Sequence, residues 1–153
     1  MMKRELICLM ISLLILSGCS GKYEIGDYYK NGDTKGIVIK NESDVLMVMS
    51  IDEAVNIDAD SAARWASSYD GEGWSLPNKA MMGQIKKYKS VINKTLERKG
   101  LPTILTNNTF YWTETACSES HTYACGPDGI QCYFNQNSSP YYRARAVKIM
   151  NNK

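Results

Sequence analysis

The stretch "GEGWSLPNKAMMGQI" at residues 71–85 combines a tryptophan, a proline and the start of a periodic apolar pattern. Pro77 disfavours helical backbone at the residue before it, so it predicts an extended entry into the next element. Asn78 is a favourable N-cap because its side-chain oxygen can accept a hydrogen bond from a free backbone N–H. We therefore predict a structural junction in which Trp74 packs in the core and Asn78 begins a helix.

The residues on either side of this junction predict two helices, one before it and one after it. Apolar residues after Asn78 recur at helical spacing and predict a helix over residues 79–99, with a break near Ser90, which can cap the second half. A shorter helix upstream can be capped by Asp58 or Asp60. Its apolar face comprises Ala62, Trp65, Ala66 and Tyr69.

The remaining runs are typical of β-strands. Residues 36–40 and 45–50 flank the turn sequence "NESD" and predict a hairpin. Beyond residue 109, aromatic and β-branched runs separated by turn residues predict three or four antiparallel strands. The last of these runs, "YYRARAVKI" (residues 141–149), is interpreted as one strand. The expected class is α+β, with two or three helices packed on small antiparallel sheets.

The first residues are typical of an export signal. Lys3 and Arg4 precede an apolar run that is too short to span a bilayer comfortably. "LSGC", ending at Cys19, resembles the lipobox of bacterial lipoproteins. This resemblance implies a signal peptide at residues 1–18 and acylation of Cys19, which would anchor the chain to a membrane.

Given that anchor, we expect a tether over residues 19–26 and a single domain over residues 27–150. The expected location is the cell envelope of a Gram-negative bacterium, as an outer membrane lipoprotein whose leaflet orientation stays open. The net charge is +2 at pH 7, which gives no reason to expect nucleic acid as a partner. Five lysines, at positions 86, 87, 89, 94 and 99, are interpreted as a solvated helix face in preference to an anion site.

Three cysteines follow in the predicted sheet region: Cys117, Cys125 and Cys132. An exported protein favours a disulfide, and both Cys117–Cys125 and Cys125–Cys132 are considered, with Cys117–Cys125 preferred. Together with His121 the three cysteines also form a set suited to zinc, although the spacing lacks a C-x-x-C knuckle. A catalytic Cys117/His121 pair is a weaker alternative. We expect no metal, no cofactor and no enzymatic activity.

Two segments suggest contacts with sugars. In "YFNQNSSPYY" (residues 133–142), Tyr133, Asn135, Asn137 and Tyr141 could stack on a glycan and hydrogen-bond to it, and the alternative is a turn beside core aromatics. "DSA" at residues 60–62 matches a short O-glycosylation pattern of Bacteroides-type exported proteins and makes Ser61 a candidate acceptor. The alternative for Ser61 is a place in a helix cap.

Several motifs occur in an order that resembles a family of uncharacterised lipoproteins from Bacteroides-type bacteria. The family is similar to the C-terminal domain of the Legionella collagen-like adhesin. The matching segments are "GWSLP", "FYWTET" and "RARAVKI", and Ser75 stands where the family usually has arginine. The resemblance implies a C-type-lectin-like fold and adhesion or glycan binding without catalysis.

The leading hypothesis is accordingly a lipid-anchored, non-enzymatic module that binds a glycan or an envelope protein. The alternative is a structural or accessory subunit of a surface assembly with no small ligand. The sequence does not identify the ligand, the partner or the oligomeric state.

Overall fold

The structure, a computed structural model, describes residues 22–151. These residues form an α+β fold with three helices and two small sheets, which confirms the predicted class. In chain order the elements are β1 Tyr28–Asn31, β2 Thr34–Glu42, β3 Val45–Met49, β4 Ala54–Val55, α1 Ala59–Ser67, β5 Trp74–Ser75, α2 Lys79–Lys87, α3 Lys89–Arg98, β6 Phe110–Ala116, β7 His121–Gly126, β8 Gly129–Phe134, β9 Tyr142–Ala144 and β10 Val147–Asn151.

The two sheets have five strands each. The first has the order β1-β2-β3-β10-β5, and its neighbours are antiparallel. The second has the order β4-β9-β6-β7-β8, and its pairs are antiparallel except β6 with β9. The prediction of purely antiparallel strands is wrong at that pair. A parallel pair needs a crossover connection, and here β7, β8 and the following loop supply it.

The junction at residues 71–85 is structural, as predicted. Trp74 is 3% exposed and pairs through β5 with Lys148 of β10. The Pro77 carbonyl accepts a hydrogen bond from the Glu114 backbone N–H at 2.9 Å, which holds the junction against β6. The Asn78 side chain accepts from the Met81 N–H at 2.8 Å and caps α2.

The helix boundaries differ in part from the predictions. Asp58, the first of the two candidate caps, accepts a hydrogen bond from the Ser61 N–H at the start of α1. The predicted break in the long helix lies at Tyr88, and no side chain caps α3 there. The prediction that Ser90 caps the second helix is wrong, because Ser90 already lies within the first turn of α3.

The segment predicted as one C-terminal strand is two strands, β9 and β10, which belong to different sheets. Between them the chain is bonded to Ser50: the Ala146 N–H donates to Ser50 Oγ at 3.0 Å, and the Ser50 N–H donates to the Ala146 carbonyl at 2.8 Å. Arg145 and Ala146 are wholly buried. The alternation of inward and outward side chains that one strand would show therefore stops where the chain passes from one sheet to the other.

Two apolar clusters cover opposite faces of the first sheet. Ile37 and Ile39 of β2 belong to one cluster, with buried residues of α2 and α3, while Val38 belongs to the other, with the alanines of α1. All three are at most 1% exposed. The second sheet contributes to both clusters, with Trp112 on the α1 side and Tyr111 on the α2–α3 side.

The described chain begins with residues that contact the domain. Tyr23 packs on Tyr29, with ring centroids 5.0 Å apart, and the Gly26 N–H donates to the Val38 carbonyl at 2.8 Å. Residues 23–26, predicted as the end of the tether, therefore lie against the sheet. The predicted signal peptide and lipidated Cys19 fall outside the described residues. Between residues 22 and 151, no helix has the length and apolar character needed to cross a bilayer.

Candidate functional site

A disulfide links Cys117 to Cys132. Both pairings considered from the sequence are wrong, because each of them includes Cys125, which is a buried free thiol. The register explains the difference: in the β7–β8 hairpin Cys132 lies opposite Tyr123, whereas Cys125 lies opposite Ile130 and faces the α2–α3 cluster. Burial raises the pKa of the Cys125 thiol.

The disulfide removes thiols that both alternatives for His121, catalysis and zinc binding, require. A catalytic Cys117/His121 pair lacks its thiol, and the zinc set lacks two of its three thiolates, because Cys117 and Cys132 are bonded to each other. Across residues 22–151, no three His, Cys, Asp or Glu side chains come together in an arrangement that could hold a metal ion.

The open end of the β7–β8 hairpin presents an aromatic pair in which Phe134 is exposed and His121 is partly buried. His121 and Phe134 lie opposite each other across the two strands, with ring centroids 4.1 Å apart. Phe134 is 61% exposed. Ser120 Oγ lies 2.8 Å and Ser118 Oγ 3.3 Å from Nδ1 of the histidine. We call these four residues the hairpin-end surface; it combines an apolar ring face with hydroxyl and imidazole groups.

Asn135 holds this surface in place. Its side-chain oxygen accepts from Thr122 Oγ1 at 2.8 Å, and its side-chain nitrogen donates to the Glu119 carbonyl at 3.1 Å. Its backbone N–H donates to the Ser120 carbonyl, and its carbonyl accepts from the Ala59 N–H. Asn135 was predicted to contact a ligand, but these bonds engage its amide within the fold and tie the 117–120 turn to α1.

Tyr133 and Asn137 contact a second group of aromatic residues, which includes Phe110 and Tyr142 and lies on the other face of the hairpin. Tyr133 is half-buried, 5.1 Å from Phe110 and 6.0 Å from Tyr142 between ring centroids. Burial raises the pKa of its phenol. Asn137 Nδ2 donates to the Tyr142 hydroxyl at 2.9 Å. Tyr142 also stacks on Trp112, so these two predicted contacts border the core.

Tyr141 is the most exposed of the four predicted contact residues, at 56%. The structure therefore leaves Tyr141 open to solvent, engages Asn135 and Asn137 within the fold, and half-buries Tyr133. Sequence reasoning missed Phe134 altogether, and it considered His121 as a zinc ligand or catalytic partner and not as a ligand contact. The signal for Phe134 is the alternation of β8: a strand that turns Tyr133 towards the core turns the next residue, Phe134, to the opposite face.

A second polar cluster lies inside the fold. Glu53 forms ion pairs with Arg143, at 2.6 Å, and with Arg145, at 3.3 Å. It also accepts from the Tyr111 hydroxyl at 2.8 Å. Burial and the neighbouring Glu53 carboxylate raise the pKa of Tyr111. Arg145 further donates to the Ser50, Ile51 and Pro102 carbonyls, so the cluster joins three segments of the chain.

Ser61, the predicted O-glycosylation site, lies in the first turn of α1. Its hydroxyl donates to Asp58 Oδ2 at 3.0 Å and accepts from Arg64 Nη2 at 3.0 Å. The side chain is only partly exposed. The helix-cap alternative therefore describes its contacts, and its glycosylation stays a prediction.

The five lysines predicted as a solvated helix face, at positions 86, 87, 89, 94 and 99, are all exposed, which confirms that prediction. Lys87 and Lys99 lie over the rings of Tyr88 and Tyr28, at 5.3 and 4.4 Å from the centroids. Two others, Lys86 and Lys89, line a cavity of about 250 Å³ beside the β7–β8 turn.

Comparisons with known proteins give no further information about this site. No protein-family model matches the chain, and no curated protein matches it.

Proposed function

We propose that this chain is a lipid-anchored, non-enzymatic binding module of the cell envelope, and that its hairpin-end surface contacts a glycan. The single observation that carries the proposal is the exposed Phe134 ring, which packs against His121 at the end of a disulfide-linked hairpin. The adhesin-like family resemblance and the C-type-lectin-like fold that it implies belong to the same proposal.

The chemistry of the surface suits a sugar. The apolar face of a pyranose packs on an aromatic ring, while its hydroxyls need nearby donors and acceptors. Phe134 offers the ring, and the Ser118 and Ser120 hydroxyls and the His121 imidazole offer the polar groups. A single exposed apolar side chain is ordinary at a protein surface, so the proposal rests on the contact of Phe134 with His121 and on the hydroxyls beside them.

Rigidity supports the same proposal. The Cys117–Cys132 bridge joins the 117–120 turn to β8, and the Asn135 bonds fix that turn to α1. A surface that is ordered before binding loses less conformational entropy when a ligand arrives. Tyr141, exposed elsewhere in the 135–141 loop, is a second candidate contact in this proposal.

The test is glycan-array binding by the full chain, its Phe134→Ala variant and a matched Ile149→Ala control. Ile149 is 52% exposed on β10, in the other sheet. We expect the unmodified chain and the control to bind the same glycans, and Phe134→Ala to weaken that binding by about tenfold or more. Tyr141→Ala tests the second contact in the same way.

An absence of binding to any glycan, together with a stable protein partner recovered from membranes, would instead support the accessory-subunit alternative. The anchor has a separate test. Cys19→Ala is expected to release the protein from membranes, and continued membrane association of that variant would contradict the anchor.

A further inference from the structure

The cavity beside the β7–β8 turn lies at the other end of the same hairpin. Its walls come from three segments: Lys86 and Lys89 at the α2–α3 junction, Asn107 and Asn108 in the loop before β6, and Gly126 and Pro127 in the turn. The hairpin-end surface lies five residues further along β8, about 17 Å away at ~3.3 Å per residue. The two places are therefore separate sites.

We propose that this cavity, the Lys86–Lys89 pocket, binds an acidic sugar through its anionic group. Its lining carries two ammonium groups and no carboxylate. The three ion pairs found among residues 22–151 involve neither lysine. Two cations three residues apart on adjoining helix ends attract one anionic group, because neither forms an ion pair within the part of the chain that the structure describes.

The positions of the two lysines are defined on both sides of the pocket. A Cβ placed on Gly129 would lie 3.4 Å from Lys86 Nζ, so this ammonium lies over the turn. Lys89 Nζ donates to the Leu105 carbonyl at 3.5 Å, so the second ammonium lies over the loop. Burial raises the pKa of the Cys125 thiol behind the pocket, and the charges of Lys86 and Lys89 partly oppose that rise, which is consistent with both ammonium groups lying near it.

The loop before β6 supplies groups for hydroxyls. Asn107 and Asn108 are exposed, and each side-chain amide offers both donors and an acceptor. The backbone here is left-handed at Leu105, Asn107 and Asn108. Asparagine tolerates that conformation, but a leucine adopts it rarely, and strained residues of this kind concentrate at ligand sites. The pocket thus pairs an anion-binding wall with a hydroxyl-binding wall.

The size of the pocket limits the ligand. A volume of about 250 Å³ lies below the range of pockets that enclose drug-sized molecules. It suits one monosaccharide ring with its charged group. The charge can be a carboxylate, as in a uronic acid, or a phosphate ester, because both present anionic oxygens to lysine.

The test is an NMR titration of the ¹⁵N-labelled full chain at a physiological salt concentration of about 0.15 M. The probes are glucuronate, glucose 6-phosphate, glucose, acetate and inorganic phosphate. We expect at least one of the two acidic sugars to shift the amide signals of residues 107, 108 and 126. Its dissociation constant should be about tenfold or more below those of glucose and the free ions.

A charge-matched pair of variants assigns the site. Lys86→Gln/Lys89→Gln should weaken acidic-sugar binding by about tenfold, while Lys87→Gln/Lys94→Gln, which removes the same charge from the same helices, should change it by less than about twofold. Asn107→Gly, which keeps the left-handed backbone and removes the amide, should weaken the acidic sugar and leave acetate unaffected.

Three outcomes would overturn the proposal: no binding of either acidic sugar, equal losses in the two double variants, or free ions binding as tightly as the sugars. Phe134→Ala separates this site from the hairpin-end surface. It should leave the acidic-sugar titration unchanged, and loss of that titration would place the ligand at the hairpin end instead.

Discussion

Arg145 and Glu53 form an ion pair inside the protein, with Nη2 of the arginine 3.3 Å from Oε2 of the glutamate. The arginine side chain is 0% and the glutamate side chain 5% exposed. Charges this deep are tolerated because each has further partners. The arginine reaches three backbone carbonyls, and the glutamate also holds Arg143 and Tyr111.

Glu53→Gln should therefore lower the free energy of unfolding by about 3 kcal/mol, since it leaves a buried guanidinium without its counter-charge. The measurement is equilibrium unfolding in urea. Glu42→Gln is the control, because Glu42 pairs with Lys40 at the surface, where such pairs contribute about 1 kcal/mol or less. Equal losses in the two variants would show that burial of the pair has no energetic consequence.

The disulfide pairing makes a prediction about both chemistry and stability. Non-reducing peptide mapping should recover a Cys117–Cys132 linkage and an unlinked Cys125. Cys117→Ala/Cys132→Ala should lower the free energy of unfolding by about 3 kcal/mol, the value for a closed loop of about 15 residues. Adding a reductant should destabilise the unmodified protein and leave the double variant unchanged. A linkage that includes Cys125 would contradict the structure.

Two glycines should respond to alanine in opposite directions. A Cβ on Gly36 would lie 2.7 Å from the Met49 carbonyl oxygen, which belongs to the paired strand and cannot move freely. Gly36→Ala should destabilise the protein by about 2 kcal/mol. Gly83 lies within α2 with open space around its Cβ position. Gly83→Ala should stabilise it by up to about 1 kcal/mol, as measured by thermal unfolding of both variants.

We expect the Asp58 carboxylate to make the free energy of unfolding depend on pH in the acidic range. The Ser61 backbone N–H, as the main cause, and the Ser61 hydroxyl hold the pKa of its carboxyl below the ordinary 3.8. The folded state thus favours the ionised carboxylate of the cap. The contribution of this carboxylate to the free energy of unfolding is present at pH values above the unfolded-state pKa, and it is lost as the pH falls through the folded-state pKa.

Asp58→Ala should accordingly cost about 1 kcal/mol at neutral pH and flatten the decline of stability below about pH 4. Asp58→Asn keeps an acceptor and should cost less at neutral pH while flattening the same region. The measurement is urea unfolding at several pH values. An unchanged acid slope in both variants would show that the carboxylate has no role in the cap.

The features that the sequence predicted well are local ones. Pro77 and Asn78 act within about four residues, so their chemistry decides the start of α2 whatever packs on it. Asp58 caps α1 for the same reason. The prediction of a cap at Ser90 also failed for a local reason, because α3 begins directly after Tyr88 without any side-chain cap.

The features that were missed depend on which strands lie side by side. The cysteine pairing depends on tertiary placement, because the β7–β8 register sets Cys125 two positions along from Cys132, and Cys125 is buried whereas Cys132 is exposed. The division of "YYRARAVKI" follows from the bonds of Ala146 to Ser50, 96 positions earlier in the chain. Among the predicted ligand contacts, Asn135 has a side-chain amide of the kind that binds sugars, which is why the sequence favours it. Its hydrogen bonds to Thr122 and Glu119 show that it instead braces a turn.

The division of one segment between two sheets has a consequence for biosynthesis. Residues 142–151 insert β9 between β4 and β6, and β10 between β3 and β5. All four neighbours leave the ribosome earlier, so neither sheet can be completed until this segment has emerged. Such long-range pairing slows folding. For a chain that crosses a membrane before it folds, as the signal peptide predicted for residues 1–18 would require, late closure of both sheets would keep the nascent polypeptide in a state that a translocation channel can accept.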